Sequence, residues 1–248
     1  MNLPEPILLA KDVYSLQFGP NQVNAGFVVT DDGVVVIDSG PSPRAGEALR
    51  QAIDAVTDQP LAYVINTHFH SSHTFGNQAF GGSVIAHVDC LAQMNRALTH
   101  EWSPAHIAKW RKENPEHAAE FEGLRIRVPD LAFSGAGIIN IGGKNLQLIH
   151  LGNHTSDSIA VHLPEQGVVF AVDNLFDSRR PFLRHANAAQ WVEVLQKLEE
   201  LDLQRAVPGH GAVMEARDVH NLRVYFETLL KAPRHRRGAS PFERLALV

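Results

Sequence analysis

Apolar positions along the chain follow two periods that alternate in a regular order. Val23-Asn24-Ala25-Gly26-Phe27-Val28-Val29 is rich in β-formers, Asp31-Asp32-Gly33 supplies a hairpin turn, and Val34-Val35-Val36-Ile37 runs straight into Asp38. Over residues 44–56 the period lengthens, and Ala48, Leu49, Ala52, Ile53 and Val56 share one helical face. Strands are predicted at 62–66 and 83–86, then helices at 88–98 and 103–122, the second opened by Ser103-Pro104. Four strands follow, at 137–141, 145–151, 159–163 and 168–172. A helix at 188–201, a short strand at 205–207 and a helix at 218–231 complete the pattern. Two β-rich halves, each with helices to cover one face, predict two packed sheets with helices outside, an α/β/β/α sandwich forming a single domain over 1–248.

Composition narrows the function classes. Hydrophobic content of 44% with 20% charged residues is that of a globular protein able to bury a large core. Met1-Asn2-Leu3-Pro4-Glu5-Pro6 lacks a basic region followed by an apolar core, and no apolar run approaches membrane-spanning length, so a cytoplasmic protein without membrane association is expected. A formal net charge of −5 argues against nucleic acid as a partner, and the basic cluster at 231–237 reads as a solvated tail. The single cysteine, Cys90, excludes an intrachain disulfide and a thiolate-clustered zinc site, so any metal must be held by His and carboxylate.

Candidate chemistry is concentrated in Thr67-His68-Phe69-His70-Ser71-Ser72-His73, just past the strand at 62–66. Side chains two apart in an extended segment project to the same side, so His68 and His70 can grip one ion, while His73 faces a second position. Three later strand ends each deliver a further candidate: His154 in Gly152-Asn153-His154-Thr155, Asp173 in Ala171-Val172-Asp173-Asn174, and His210 in Pro208-Gly209-His210-Gly211. Imidazole is the commonest metal-ligating side chain, and five of the fourteen histidines fall in this set with one Asp. Others, such as His87, His100, His106, His117 and His220, lack a partner at ligand spacing and are expected to be surface or core residues.

With these motifs in order, the chain resembles the metallo-β-lactamase superfamily over nearly its whole length, in the single-domain hydrolase branch. The resemblance implies that His68, His70 and His154 hold a first metal, that His73 and His210 hold a second, and that Asp173 reaches both. Asp38 is similar to the family's buried Asp that orients the histidine loop. It further implies zinc, one or two ions, and a zinc-bound hydroxide attacking an activated carbonyl of a small molecule: a lactone, thioester, lactam or other ester-like bond.

One departure matters. Ser72 stands where the family carries an Asp that binds the second metal and hydrogen-bonds the attacking hydroxide, so the catalytic positions implied are Asp173 and this altered one. Losing a carboxylate leaves about one extra positive charge between two closely spaced ions, so an intact first site and a weakened second are expected. Two other readings stay open: a single-iron, persulfide-oxidising enzyme using His68, His154 and Asp173, and a metal-binding homologue with weakened chemistry. Residues 102–122 are expected to form a lid or a covering helix pair, and Arg179, Arg180 and Arg184 to lie near the pocket.

Overall fold

A computed structural model of the chain describes residues 4–177 and 188–231. In chain order the described elements are β1 (Ile7–Ala10), β2 (Val13–Phe18), β3 (Val23–Thr30), β4 (Gly33–Ile37), α1 (Pro43–Asp54), β5 (Leu61–Ile65), α2 (Ser71–Thr74), β6 (Ser83–His87), α3 (Val88–Thr99) and α4 (Pro104–Glu113). They continue as β7 (Leu131–Phe133), β8 (Gly137–Ile141), β9 (Lys144–His150), β10 (Ile159–Leu163), β11 (Val168–Phe176), α5 (Ala188–Glu199), β12 (Arg205–His210) and α6 (Ala216–Lys231). The main strand order is β7-β6-β5-β4-β3-β12-β11-β10-β9-β8, with β2 added to β3 and β1 to β2.

Three apolar clusters turn this ribbon of strands into layers. Val28, Val35, Ile37 and Ile65 from one half meet Leu146, Ile159, Val161 and Phe170 from the other, which is a core between two sheets. On the outer side of the first sheet, Leu49, Ala52 and Ile53 of α1 pack on Val34, Val36, Val64 and Val84. On the outer side of the second, Trp191, Val194, Leu195 and Leu198 of α5, with Val219 and Phe226 of α6, cover Ala160, Val169, Ala171 and Ala206. Helix, sheet, sheet, helix is the layering expected from the two β-rich halves. Strand β4, buried on both faces, is a continuous apolar run for that reason.

The sheets are joined where β3 meets β12, through the single antiparallel pair Val23 and His210. Strands β4, β5, β6 and β7 run parallel, as do β11 and β12. Their carboxyl ends, which carry Asp38, the histidine loop, Asp173 and His210, therefore gather at one edge of the sandwich, as in other α/β folds.

Local expectations fail in three places. The predicted helix at 103–122 stops at Glu113, because Asn114 caps it and Pro115 cannot continue it; only a short 3-10 turn, Ala118–Phe121, follows. Strands β1, β2 and β7 are additions, short or set in sequence without clear alternation. Strands β11 and β12 extend past their predicted ends to Phe176 and His210, so Asp173 and His210 lie on strands rather than in loops. Among the described residues no helix is long and apolar enough to cross a membrane.

Trp191 anchors the second sheet to its helices. It is fully buried, stacks on Phe226 with ring centroids 5.1 Å apart, and donates its indole N–H to the Asn174 carbonyl at 2.8 Å. Trp191→Ala should cost about 3–5 kcal/mol from the cavity and the orphaned carbonyl together. Urea unfolding followed by circular dichroism measures this, and a loss under 1 kcal/mol would contradict the packing argument.

Candidate metal centre

The site is built around a carboxylate that touches no candidate ion. Asp38 leaves β4 with φ of 56°, a left-handed conformation that an Asp tolerates better than most residues. That turn aims its side chain under the histidine loop. Oδ1 accepts the Thr67 backbone N–H at 2.8 Å; Oδ2 accepts the Thr67 hydroxyl at 2.7 Å and the His73 Nδ1–H at 2.8 Å. The Thr67 oxygen in turn accepts His68 Nδ1–H at 3.2 Å. With Nδ1 protonated in both rings, the Nε2 lone pairs of His68 and His73 point away from Asp38.

Beneath the loop, Asn66 and Asn77 exchange two side-chain hydrogen bonds of 3.0 and 2.7 Å, and Ser39 donates to Asn77 Oδ1 at 2.8 Å. All three are fully buried. A Cβ on Gly76 would overlap the Ser39 carbonyl oxygen, so only glycine lets the chain close this turn.

The six candidate side chains form two groups around Asp173. His68 Nε2 and His154 Nε2 lie 3.0 and 3.1 Å from His70 Nδ1, and 3.7 and 3.1 Å from Asp173 Oδ2. A tetrahedral ion with bonds of about 2.0–2.1 Å needs donor separations of about 3.3–3.4 Å. These four atoms bracket that value, so the group fits one ion. His73 Nε2 and His210 Nε2 lie 3.5 and 3.7 Å from the other carboxylate oxygen, Asp173 Oδ1. His210 Nδ1 donates to the Asn21 carbonyl at 2.9 Å, which again turns Nε2 inward. The buried His73 Nε2 and Asp173 Oδ1 make no hydrogen bond, which suits donors facing a shared cation.

Delivering Asp173 costs backbone strain. Val172 has φ of 52°, rare for a β-branched residue, at a break in the register of β11 against β12. The bulge redirects the next side chain across β12, where it passes over Gly209; a Cβ there would overlap Asp173 Oδ1. Asn153, before His154, is also left-handed, at 75°. Asn174 accepts weakly from the Asn153 side chain and the His154 backbone N–H, each at 3.4 Å, while its carbonyl is held by Trp191.

Charge reinforces the geometry. Burial opposes ionisation of Asp173, but His154 and His73 outweigh it and hold the carboxyl well below its usual range. Burial would also depress His73, yet Asp38 and Asp173 together raise it from 6.5 to about 10. His68 and His210 are pushed down, chiefly by burial, and so present neutral, metal-competent nitrogens at neutral pH.

Ser72 sits half-buried on α2 with a hydroxyl in place of a charge. Arg179, Arg180 and Arg184 lie outside the described residues, as do most of the basic tail residues. His87 departs from expectation: with Asp89 and His150 it forms a third cluster of possible ligands. Its ring, however, stacks on His150 at 4.0 Å with planes only 12° apart. Nitrogen lone pairs lie in the ring plane, so two parallel stacked rings cannot aim at one ion. Sequence reasoning did not single out Thr67, Asn66, Asn77, Gly209 or Asn174 for these roles.

Residues 18–210 match the family model described as metallo-beta-lactamase superfamily. Acyl-coenzyme A thioesterase MBLAC2 of Bos taurus is 27% identical over 207 residues, covering 77% of this chain and 73% of that protein. Hydroxyacylglutathione hydrolase of Erythrobacter litoralis is 25% identical over 157 residues, covering 62% of this chain and 49% of that protein. A metallo-beta-lactamase from Pontibacter korlensis superposes with a TM-score of 0.70 at 20% identity, covering 90% of this chain and 99% of the other.

The raised His73 pKa has a measurable sign. In the metal-free protein its proton stabilises the fold fully below about pH 6.5, and that contribution fades as pH rises toward about 10. An ion on Nε2 takes the proton's place, so metal-loaded protein should lose less stability across this window than metal-free protein. Asp38→Asn should shrink the difference and weaken binding of one ion by about 10–100-fold. Thermal melts from pH 6.5 to 10 with and without zinc test both statements; identical slopes for the two forms would refute them.

Proposed function

The chain belongs to the metallo-β-lactamase superfamily, and on that footing we propose that it is a zinc-dependent hydrolase of an ester-like acyl bond, with thioesters as its substrate class. The observation that supports this most is the placement of Asp173, with one carboxylate oxygen 3.1 Å from His154 Nε2 and the other 3.5 Å from His73 Nε2. In this reading His68, His70, His154 and Asp173 Oδ2 hold the first ion, and His73, His210 and Asp173 Oδ1 hold the second. Donors of this kind at these separations suit zinc. When bound, such ions supply an activated water and a Lewis acid for the carbonyl oxygen.

The chain's own residues favour a particular leaving group. Ser72 carries no charge and no readily transferred proton where the family has a carboxylate. An amine leaving group needs a proton from the site, whereas a thiolate, whose conjugate acid has a pKa of about 8.5, departs without one. A serine there is therefore least costly to a thioesterase. Two of the relatives, the acyl-coenzyme A thioesterase and the hydroxyacylglutathione hydrolase, carry thioester-hydrolase names. The Nε2 atoms of His68 and His154, 3.0 and 3.1 Å from His70 Nδ1, make a three-histidine group, which favours this over an iron site of two His and one Asp.

Thiol release from a panel of acyl-coenzyme A and acyl-glutathione thioesters, beside lactone and β-lactam controls, tests the substrate class. Asp173→Ala should lower kcat/KM by about a thousandfold or more, since it removes a donor to both ions. Ser72→Asp should tighten the second ion by about tenfold or more, read as metal retained per chain after dialysis. Full activity in Asp173→Ala would end the hydrolase assignment, and hydrolysis confined to lactones or lactams would end the thioester one.

A further inference from the structure

Beside the histidine loop lies a cavity of about 420 Å³ between α3, α4 and the segment at 121–126. That volume is typical of small-molecule sites, which run to roughly 300–1,000 Å³. Its wall is apolar: Leu98, Trp102, Ile107, Phe121, Leu124 and Ile126 line it. Pro104, Ala108 and Gly123, also in the wall, are exposed, so the cavity opens to solvent. Trp102 forms the inner side and is separated from His70 by Phe69, with ring centroids 6.2 Å from Trp102 to Phe69 and 4.6 Å from Phe69 to His70.

Two guanidinium-bearing residues, Arg111 and Arg125, belong to the same lining. Neither has an ion-pair partner among the described residues. Of the acids in these segments, Glu113 pairs with Lys109 at 3.8 Å and Glu120 with His117 at 3.2 Å, while Glu101 and Glu122, next to the lining residues Trp102 and Phe121, form no ion pair with either arginine among the described residues. Arginines with no carboxylate paired to them, in the lining of an otherwise apolar cavity, complement a ligand that is apolar along its length and anionic at one end. We propose that this cavity binds a fatty acid, its chain against Trp102, Ile107, Leu124 and Ile126 and its carboxylate on Arg111 and Arg125. The site needs no metal and stands whether or not the hydrolase reading holds.

Calorimetric titration of the full chain, purified without chelator, with dodecanoate, dodecanol, butyrate and coenzyme A tests the proposal. Dodecanoate should bind one per chain, with dodecanol and butyrate each at least about tenfold weaker and coenzyme A showing no arginine-dependent binding. Each arginine removed, Arg111→Ala or Arg125→Ala, should weaken dodecanoate by about tenfold. Ala108→Trp, which fills the cavity from the exposed face of α4, should abolish it. Asp173→Ala should leave it unchanged, which separates this cavity from carboxylate capture at the metal centre. Equal binding of dodecanol, tight binding that survives both arginine changes, arginine-dependent binding of coenzyme A alone, or no saturable binding would each overturn the assignment. Circular dichroism of the two arginine variants, expected to match the parent, shows that lost binding is not lost folding.

Discussion

The hydrogen bonds accepted by the buried carboxylate of Asp38 are the constraint on which the site depends. One side chain fixes the backbone at Thr67, the ring of His73 directly and the ring of His68 through the Thr67 hydroxyl. In a dry interior these bonds are strong, and a lost partner is expensive, so the loop has one arrangement rather than several. The orientation aims the Nε2 atoms of His68 and His73 away from Asp38 in advance, so a cation would find both rings already placed.

Backbone strain is distributed according to the same logic. Five non-glycine residues adopt positive φ among the described residues, and three of them, Asp38, Asn153 and Val172, are site residues or their immediate neighbours. Each such conformation costs on the order of 1–2 kcal/mol. The surrounding layers offset it: Val172 lies within β11 and Asn153 just ahead of β10, strands that bury one face in the core between the sheets and the other under α5. A stable sandwich can hold three unfavourable turns at one edge; an isolated hairpin could not.

The resting electrostatics describe a site waiting for positive charge. Asp173 is kept ionised in spite of burial, and His73 is kept protonated by the two carboxylates that flank it. A cation held there would replace a proton at His73 rather than add charge to a neutral cavity. Each candidate group has one oxygen of Asp173, but the second has two histidines against three in the first, and Ser72 adds no charge to it.

The layers were legible in the sequence because their cause is local. A period of two against a period near 3.6 follows from backbone geometry, and the α/β/β/α order follows from which faces must be covered. The spacing of His68, His70 and His73, and the repeated appearance of a polar residue at a strand end, marked the site for the same reason. The termination of α4 was also written locally, in Asn114-Pro115, against the N-terminal signal of Ser103-Pro104 and the charged faces that predicted a helix to Glu122. What only the tertiary structure decided involves residues far apart in the chain: the two oxygens of Asp173 facing two separate groups, Gly209 making room for them, His87 stacking on His150, and Arg111 and Arg125 meeting at one cavity. Sequence patterns report the forces between near neighbours, whereas these contacts follow from how whole sheets and helices pack. A bulge at Val172 or a break at Pro115 changes which distant side chains meet without changing the pattern that names them.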